Sequence, residues 1–207
     1  VVDDDDNNAT VTAVVDQSLD DLRKHINQVK SDCRWYRGVT NVDTFVHLLR
    51  YASYELFKEA IPFFCLDKYT DPEPKNLCCV EAIFVGAGNK NVADAIQRVD
   101  LAAHYCYGGP LPFKTDFMEA ILISGNLPML HHIQSLHGQQ TIATYFSRDR
   151  LVELDGHRPK KYGCTSLDRI RNIIALIEYL QQQDWLSAYI LCSYLMAACR
   201  LNDRNLV

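Results

Sequence analysis

A basic cluster is the most prominent set of chemically capable side chains in this sequence. Its members are Arg148, Arg150, His157, Arg158, Lys160 and Lys161, which fall within 14 residues of a chain with a net charge of −5. Such a cluster favours binding to an acidic protein surface or to an acidic lipid headgroup. The alternative is a solvated loop whose arginines stabilise the C-terminal end of a helix. The overall negative charge argues against a nucleic-acid binder.

Nucleophilic and metal-ligating residues are present, but their spacing does not match a catalytic or zinc site. Cys164 follows the sequence HRPKKYG and is the candidate reactive thiol, because cationic neighbours lower a thiol pKa. The local clusters are His104 with Cys106, and His131 and His132 with His137. There is no C-x2-C pair, phosphate-binding loop or H-E-x-x-H motif. We therefore predict no catalytic residue, no metal site and no cofactor.

Two aromatic positions are candidates for contacts with a partner or with the core. Trp35 and Tyr36 lie in a predicted connection between helices, where exposed aromatic side chains act as binding anchors. Packing against the first helix is the simpler alternative for this pair. Trp185 opens the second helix of the last predicted hairpin and is expected in the core.

Most of the eight cysteines lie in apolar runs, such as PFFCL and AYILCSYLMAAC. This placement predicts small core residues with reduced thiols rather than a disulfide framework. The residues concerned are Cys65, Cys78, Cys79, Cys106, Cys192 and Cys199.

The elements that carry these residues have helical spacing, arranged as pairs of helices joined by short polar turns. The units are HLLRYASYELFKEAI from His47, EAIFVGAGNKNVADAI from Glu81, EAILISGNLPMLHHI from Glu119 and IEYLQQQDWLSAYIL from Ile177. The first three begin 34 and 38 residues apart, which is the period of one helical hairpin per repeat. We therefore predict an all-α fold of stacked antiparallel helical hairpins, similar to an α-solenoid.

Local signals set the expected boundaries of these helices. Turns are predicted at Ser53–Tyr54, at residues 87–90, at Gly125–Asn126 and at Gln183–Asp184. Ser18 is the expected cap of a first helix, Thr115 or Asp116 of the helix FMEAILIS, and Ser166 of the helix LDRIRNIIALIEYL. A further helix is expected over residues 141–154, and the sequence TDPEPKN is predicted as a break.

Composition predicts one helical-repeat domain over residues 16–207, preceded by an acidic flexible segment over residues 1–15. The apolar content of 48% is sufficient for a core, and no apolar run is long enough for a transmembrane helix. The acidic N-terminus does not resemble a signal peptide. A chain that is part of a larger protein is compatible with this composition.

Three stretches together resemble the C-terminal α-solenoid of spastizin, a large FYVE zinc-finger protein. They are YELFKEAIPFF, FMEAILISGNLPMLHHIQSL and IALIEYLQQQDWLSAYILCSYL, in that order. The sequence departs from that pattern in its basic loop 155–165, and it has no FYVE zinc finger. The resemblance implies a cytoplasmic scaffold of membrane trafficking, peripheral on endosomal or lysosomal membranes.

AILISGNLPMLHHI also resembles degenerate ankyrin-like repeats, in which a Gly-Asn turn joins two short helices. The main prediction is a non-enzymatic scaffold that binds protein partners, with acidic lipid headgroups as a second class of partner for the basic cluster. The alternative is an ankyrin-like viral protein that interacts with its host. A cysteine-dependent enzyme is the third hypothesis.

Overall fold

The computed structural model describes residues 20, 39–65, 72–147 and 166–200 of the 207. Within these ranges the regular secondary structure consists of α-helices, which confirms the all-α prediction. The helices are α1 Val39–Tyr51, α2 Tyr54–Cys65, α3 Pro72–Ala87, α4 Val92–Tyr107, α5 Thr115–Ser124, α6 Leu127–His137, α7 Gln139–Phe146, α8 Ser166–Gln182 and α9 Ala188–Arg200. None of these helices is both long and apolar enough to cross a membrane.

Short polar turns join the helices where the sequence predicts them. Ser53 precedes α2, and its Oγ accepts a hydrogen bond from the backbone N–H of Leu56 at 3.3 Å. Before α4, the Oδ1 of Asn91 accepts from the backbone N–H of Asp94 at 3.2 Å. Both side chains satisfy an N–H group that has no partner within its helix. The predicted turns at Gly125–Asn126 and Gln183–Asp184 also lie between helices.

Several helix starts differ from the predicted positions. The sequence predicts a break over TDPEPKN, but α3 begins at Pro72. Proline costs no hydrogen bond in a first turn, because the N–H groups there have no intrahelical partner. Neither Thr115 nor Asp116 caps α5. Its N-cap is Lys114, whose carbonyl oxygen already accepts a hydrogen bond from the N–H of Met118 at 3.3 Å.

The predicted start of the last helix is corrected. Trp185 does not open α9, which begins at Ala188, but Trp185 is buried as expected. Pro62 lies inside α2. The predicted helix over residues 141–154 corresponds in its described part to α7, which ends at Phe146. The predicted first helix after Ser18 lies outside the described residues, apart from residue 20.

One compact unit comprises Val1–Ala82 and Gln97–Pro110. Helices α1 and α2 contact each other within it, and the rings of Phe45 and Phe57 lie 6.0 Å apart. Arg98, which is 6% exposed, donates from Nη2 to the carbonyl oxygen of Ala52 at 2.9 Å. Its guanidinium carbon also lies 5.2 Å from the centre of the Phe57 ring. A carbonyl oxygen and an aromatic face therefore compensate this buried cation.

The other compact unit comprises Ile83–Ile96 and Leu111–Val207. Within it α5 contacts α6 and α8, and α6 contacts α7 and α8. Phe117, Ile121 and Ile133 are fully buried in its core. Residues 1–15 lie outside the described part of the chain, and the single domain over residues 16–207 stays a prediction.

Candidate interaction surface

The start of α9 is fixed by its hydrogen bonds. The Oγ of Ser187 accepts from the backbone N–H of Ile190 at 3.3 Å and so caps the helix. One helical turn later, the hydroxyl of Tyr194 donates to the carbonyl oxygen of Leu122 in α5 at 2.7 Å. That carbonyl lies in the last turn of α5, where it has no partner within its own helix. The inner face of α9 is therefore held in one orientation on the core.

The turn from α8 into α9 is equally well defined. Asp184 adopts a left-handed backbone conformation with φ 57°. Its N–H donates to the carbonyl oxygen of Gln181 at 3.1 Å, and the N–H of Trp185 donates to that of Leu180 at 2.8 Å. These two bonds form a Schellman motif. The indole of Trp185 then stacks on Phe146, with ring centres 5.5 Å apart.

The outer face of α9 is apolar and exposed to solvent. Ile190, Ser193 and Tyr194 are buried, whereas the neighbouring side chains face outward. The exposed fractions are 44% for Tyr189, 42% for Leu191, 43% for Leu195 and 41% for Met196, and Cys192 is also exposed. Positions 191, 192, 195 and 196 follow helical spacing, so they lie on one side of the helix. We use the name α9 face for the five exposed residues Tyr189, Leu191, Cys192, Leu195 and Met196.

The composition of α9 makes this exposure unusual. The stretch AYILCSYLM has no charged residue, and its only hydroxyl besides those of the tyrosines belongs to buried Ser193, whose Oγ donates to the carbonyl oxygen of Tyr189 at 2.9 Å. A helix that is apolar on all sides is normally buried on all sides. Four of the nine exposed large hydrophobic side chains in the described residues lie on this one helix. Clustered apolar exposure of this kind makes the outer side of α9 a candidate interaction surface.

The site residues predicted from sequence lie elsewhere in the chain. The basic cluster Arg148, Arg150, His157, Arg158, Lys160 and Lys161, the pair Trp35 and Tyr36, and Cys164 are all outside the described residues. They stay predictions. The α9 face was not among the predicted site residues, because its cysteine and aliphatic residues indicate a core helix.

Cys192 is one of the predictions that the structure corrects. It is exposed rather than part of the core, whereas Cys79 and Cys106 are buried as predicted and Cys78 is half-buried. The reason is that α9 presents only its side with Ile190 and Tyr194 to the core. The side chains of Cys65 and Cys199 lie outside the described set.

The histidines considered for metal binding have other neighbours. Nε2 of His137 lies 2.7 Å from the carbonyl oxygen of Leu111, so this nitrogen carries the proton and donates. The ring of His131 packs edge-on against Tyr179, with centres 4.7 Å apart. Over the described ranges, no group of three or more His, Cys, Asp or Glu residues is placed to hold a metal ion.

The hydroxyl of Tyr194 allows a direct test of how α9 is anchored. Tyr194→Phe should lower the free energy of unfolding by about 1–2 kcal/mol, because it leaves the buried Leu122 carbonyl without its partner. Burial raises the pKa of Tyr194 above its ordinary value. The unfolded chain therefore loses this proton near pH 10, while the folded chain keeps it. The contribution of Tyr194 to the free energy of unfolding is present below about pH 10 and is lost as the pH rises further.

Urea unfolding of both proteins between pH 7 and 11 measures this effect. The stability difference between the wild type and Tyr194→Phe should narrow above about pH 10. Tyr189→Phe is the matched control, since Tyr189 is exposed on the same helix and should change stability by less than about 0.5 kcal/mol. Equal effects of the two substitutions would contradict the anchoring role.

Comparison with known proteins identifies no relative of this chain. No family model matches it, and neither does any curated protein or solved structure.

Proposed function

We propose that this chain is a non-enzymatic protein-interaction scaffold that binds a protein partner through the α9 face. The observation that carries the proposal is the apolar, uncharged outer side of a helix whose inner side is firmly anchored. A partner that covers the side chains of Tyr189, Leu191, Leu195 and Met196 would remove their apolar area from water. Such burial contributes about 25 cal/mol per Å² to binding. Because Leu191, Cys192, Leu195 and Met196 carry no charge, a complementary partner surface is also apolar at its centre.

The arrangement we propose for the helices is a stack of antiparallel hairpins of the α-solenoid type. Contacts between α1 and α2 and between α5 and α6, which follow one another along the chain, support it. In such a stack, each hairpin leaves an apolar face that an adjacent surface covers. The α9 face is also apolar and exposed, and a partner protein is the surface that we propose covers it.

Membrane trafficking is the cellular process that the resemblance to spastizin favours for this scaffold. The basic cluster would then provide a second contact, with an acidic protein or an acidic lipid headgroup. No residue set in the described part of the chain favours the enzyme hypothesis over this proposal.

A photo-crosslinking experiment tests the proposal. A photoreactive amino acid at position 196 samples the α9 face, and one at exposed Gln140 in α7 is the control. We expect position 196 to capture one protein that position 140 does not. The captured protein is then purified and its Kd is measured against the wild type and three variants.

The variants separate the α9 face from other surfaces. Leu191→Asp with Leu195→Asp should weaken binding at least 100-fold, since truncated hot spots cost 2 kcal/mol or more and a buried unpaired charge adds to this. Leu136→Asp, at an exposed leucine of α6, should leave the Kd within about threefold. Charge reversal of Arg158, Lys160 and Lys161 to Glu tests the basic cluster separately. The proposal is wrong if the aspartates in α9 leave the Kd unchanged, or if both crosslinking positions capture the same proteins.

A further inference from the structure

A small pocket of about 230 Å³ lies in the unit formed by Ile83–Ile96 and Leu111–Val207. Four segments line it: the end of α3, the start of α4, the turn between α5 and α6, and α8. Its buried lining includes Ala95, Gly125 and Met129, and its exposed lining includes Val92, Pro128 and Ala175. No residue of the α9 face lines this pocket, so it is a separate site.

Hydrogen bonds between the lining segments hold the pocket open in one shape. Nδ2 of Asn126 donates to the carbonyl oxygen of Ile83 at 2.9 Å. Nδ2 of Asn172, in α8, donates to the carbonyl oxygen of Ala87 at 2.9 Å. The end of α3 is thereby tied both to the α5–α6 turn and to α8. A preformed pocket lowers the ordering cost that the protein contributes to ligand binding.

The volume decides which size of ligand fits. Pockets for drug-sized molecules measure roughly 300–1,000 Å³. An apolar cavity of about 150 Å³ already binds benzene. At 230 Å³ the pocket lies between these values, which suits a single aromatic ring or a fused pair of rings.

The polarity of the lining decides the chemistry of the ligand. None of the lining residues is ionisable, so a charged ligand would be desolvated without a compensating charge. Oδ1 of Asn126 already accepts from the N–H of Met129 at 3.1 Å, and Oδ1 of Asn89 accepts from the N–H of Asn91 at 2.8 Å. Oδ1 of Asn172 has no hydrogen-bond donor among the described residues. Because Nδ2 of Asn172 is fixed on Ala87, this oxygen cannot exchange places with the nitrogen.

We propose that this pocket is a binding site for a neutral aromatic molecule that carries one N–H or O–H group, with indole as the best-fitting example. The ring packs against the exposed lining residues Val92, Pro128 and Ala175, above buried Ala95 and Met129, and its donor bonds to Oδ1 of Asn172. This site goes beyond the scaffold function and does not depend on it, because the two involve different residues.

Three methionine methyl groups make the binding observable by NMR. The chain has three methionines: Met129 in the pocket, Met118 in the core and Met196 on the α9 face. Titration of the ¹³C-methyl-labelled protein with indole should shift the Met129 signal saturably, with a Kd on the order of 1 mM for about nine non-hydrogen atoms. Met196 should shift little, and without saturation. A saturable shift confined to Met196 would overturn the pocket and point to the α9 face.

Two comparisons test the geometry without disturbing the core. Benzofuran has the shape of indole but no N–H donor, and we expect its Kd to be about five- to tenfold higher because one hydrogen bond is lost. Ala175→Trp at the exposed rim should block the pocket and abolish the Met129 shift, whereas Ala175→Ser should leave it unchanged. Binding of indole that survives Ala175→Trp, or equal Kd values for indole and benzofuran, would overturn the proposal, as would the absence of any saturable shift.

Discussion

Replacement of Gly125 by alanine is expected to lower the free energy of unfolding by about 2–5 kcal/mol. Gly125 follows α5 with φ 70° and ψ 26°, a left-handed conformation that costs an alanine roughly 1–2 kcal/mol. The added Cβ would also lie 2.6 Å from the backbone nitrogen of Ile173 and 2.7 Å from the carbonyl carbon of Asn172. Both are main-chain atoms of α8 and cannot rotate away, so overpacking adds about 1–3 kcal/mol.

Urea unfolding followed by far-UV circular dichroism measures this loss, and Gly108→Ala is its matched control. Gly108 has φ 74°, yet nothing lies within 4 Å of the Cβ that would be added. The control therefore carries the cost of the backbone conformation without the clash, and should lose only about 1–2 kcal/mol. Equal losses for the two variants would contradict the close approach of α8 to the turn.

A second substitution at the same position separates the two causes. Asparagine tolerates the left-handed conformation better than alanine but brings the same Cβ. Gly125→Asn should therefore be nearly as unstable as Gly125→Ala. In a Trp35→Phe background Trp185 is the only tryptophan, so its fluorescence reports on the unit that contains Gly125. Recovery of most of the stability by asparagine would mean that backbone strain, and not the clash, dominates.

The positions of the turns could be predicted because they depend on local chemistry. Ser53, Asn91 and Gly125 have side chains or backbone freedom suited to ending one helix or starting the next. Their signals act over three or four residues and are visible in the sequence. The cap of α5 could not be found in the same way, because Lys114 caps it with no side-chain hydrogen bond.

The candidate interaction surface could not be predicted, because burial depends on contacts between distant residues. Ile190 and Leu191 are both apolar and adjacent, yet the first is 5% and the second 42% exposed. What distinguishes them is the anchoring of Tyr194 on Leu122, 72 residues away in the chain. The sequence AYILCSYLM does contain one indication of this surface, since a helix that is apolar on all sides needs to be covered on all sides.

The pocket likewise depends on contacts between residues far apart in sequence. Asn126 bonds to a carbonyl 43 residues earlier, and Asn172 to one 85 residues earlier. Nothing in the local sequence distinguishes these asparagines from Asn91, which has an ordinary capping role on the surface. The Gly-Asn turn was predicted, but its role in joining three segments of the chain was not.

Replacement of Asn126 by alanine is expected to cost about 3–4 kcal/mol of unfolding free energy. Asn126 is 3% exposed, and both polar atoms of its carboxamide form hydrogen bonds. Its Oδ1 caps α6 by accepting from the N–H of Met129 at 3.1 Å, and its Nδ2 donates to the carbonyl oxygen of Ile83 at 2.9 Å. Alanine leaves the buried N–H of Met129 and the buried carbonyl of Ile83 without a partner. Each unsatisfied group of this kind costs about 1–3 kcal/mol.

Two variants divide this effect between the cap and the contact with α3. Asn91→Ala removes a cap of the same kind from an exposed site and should cost about 1 kcal/mol. Asn126→Ser keeps an oxygen that can cap α6 but is too short to reach Ile83, so its loss should fall between those of Asn126→Ala and Asn91→Ala. Urea unfolding of all three measures the differences. If Asn126→Ala costs no more than Asn91→Ala, the bond to Ile83 contributes nothing, and the α5–α6 turn is held to α3 by apolar packing alone.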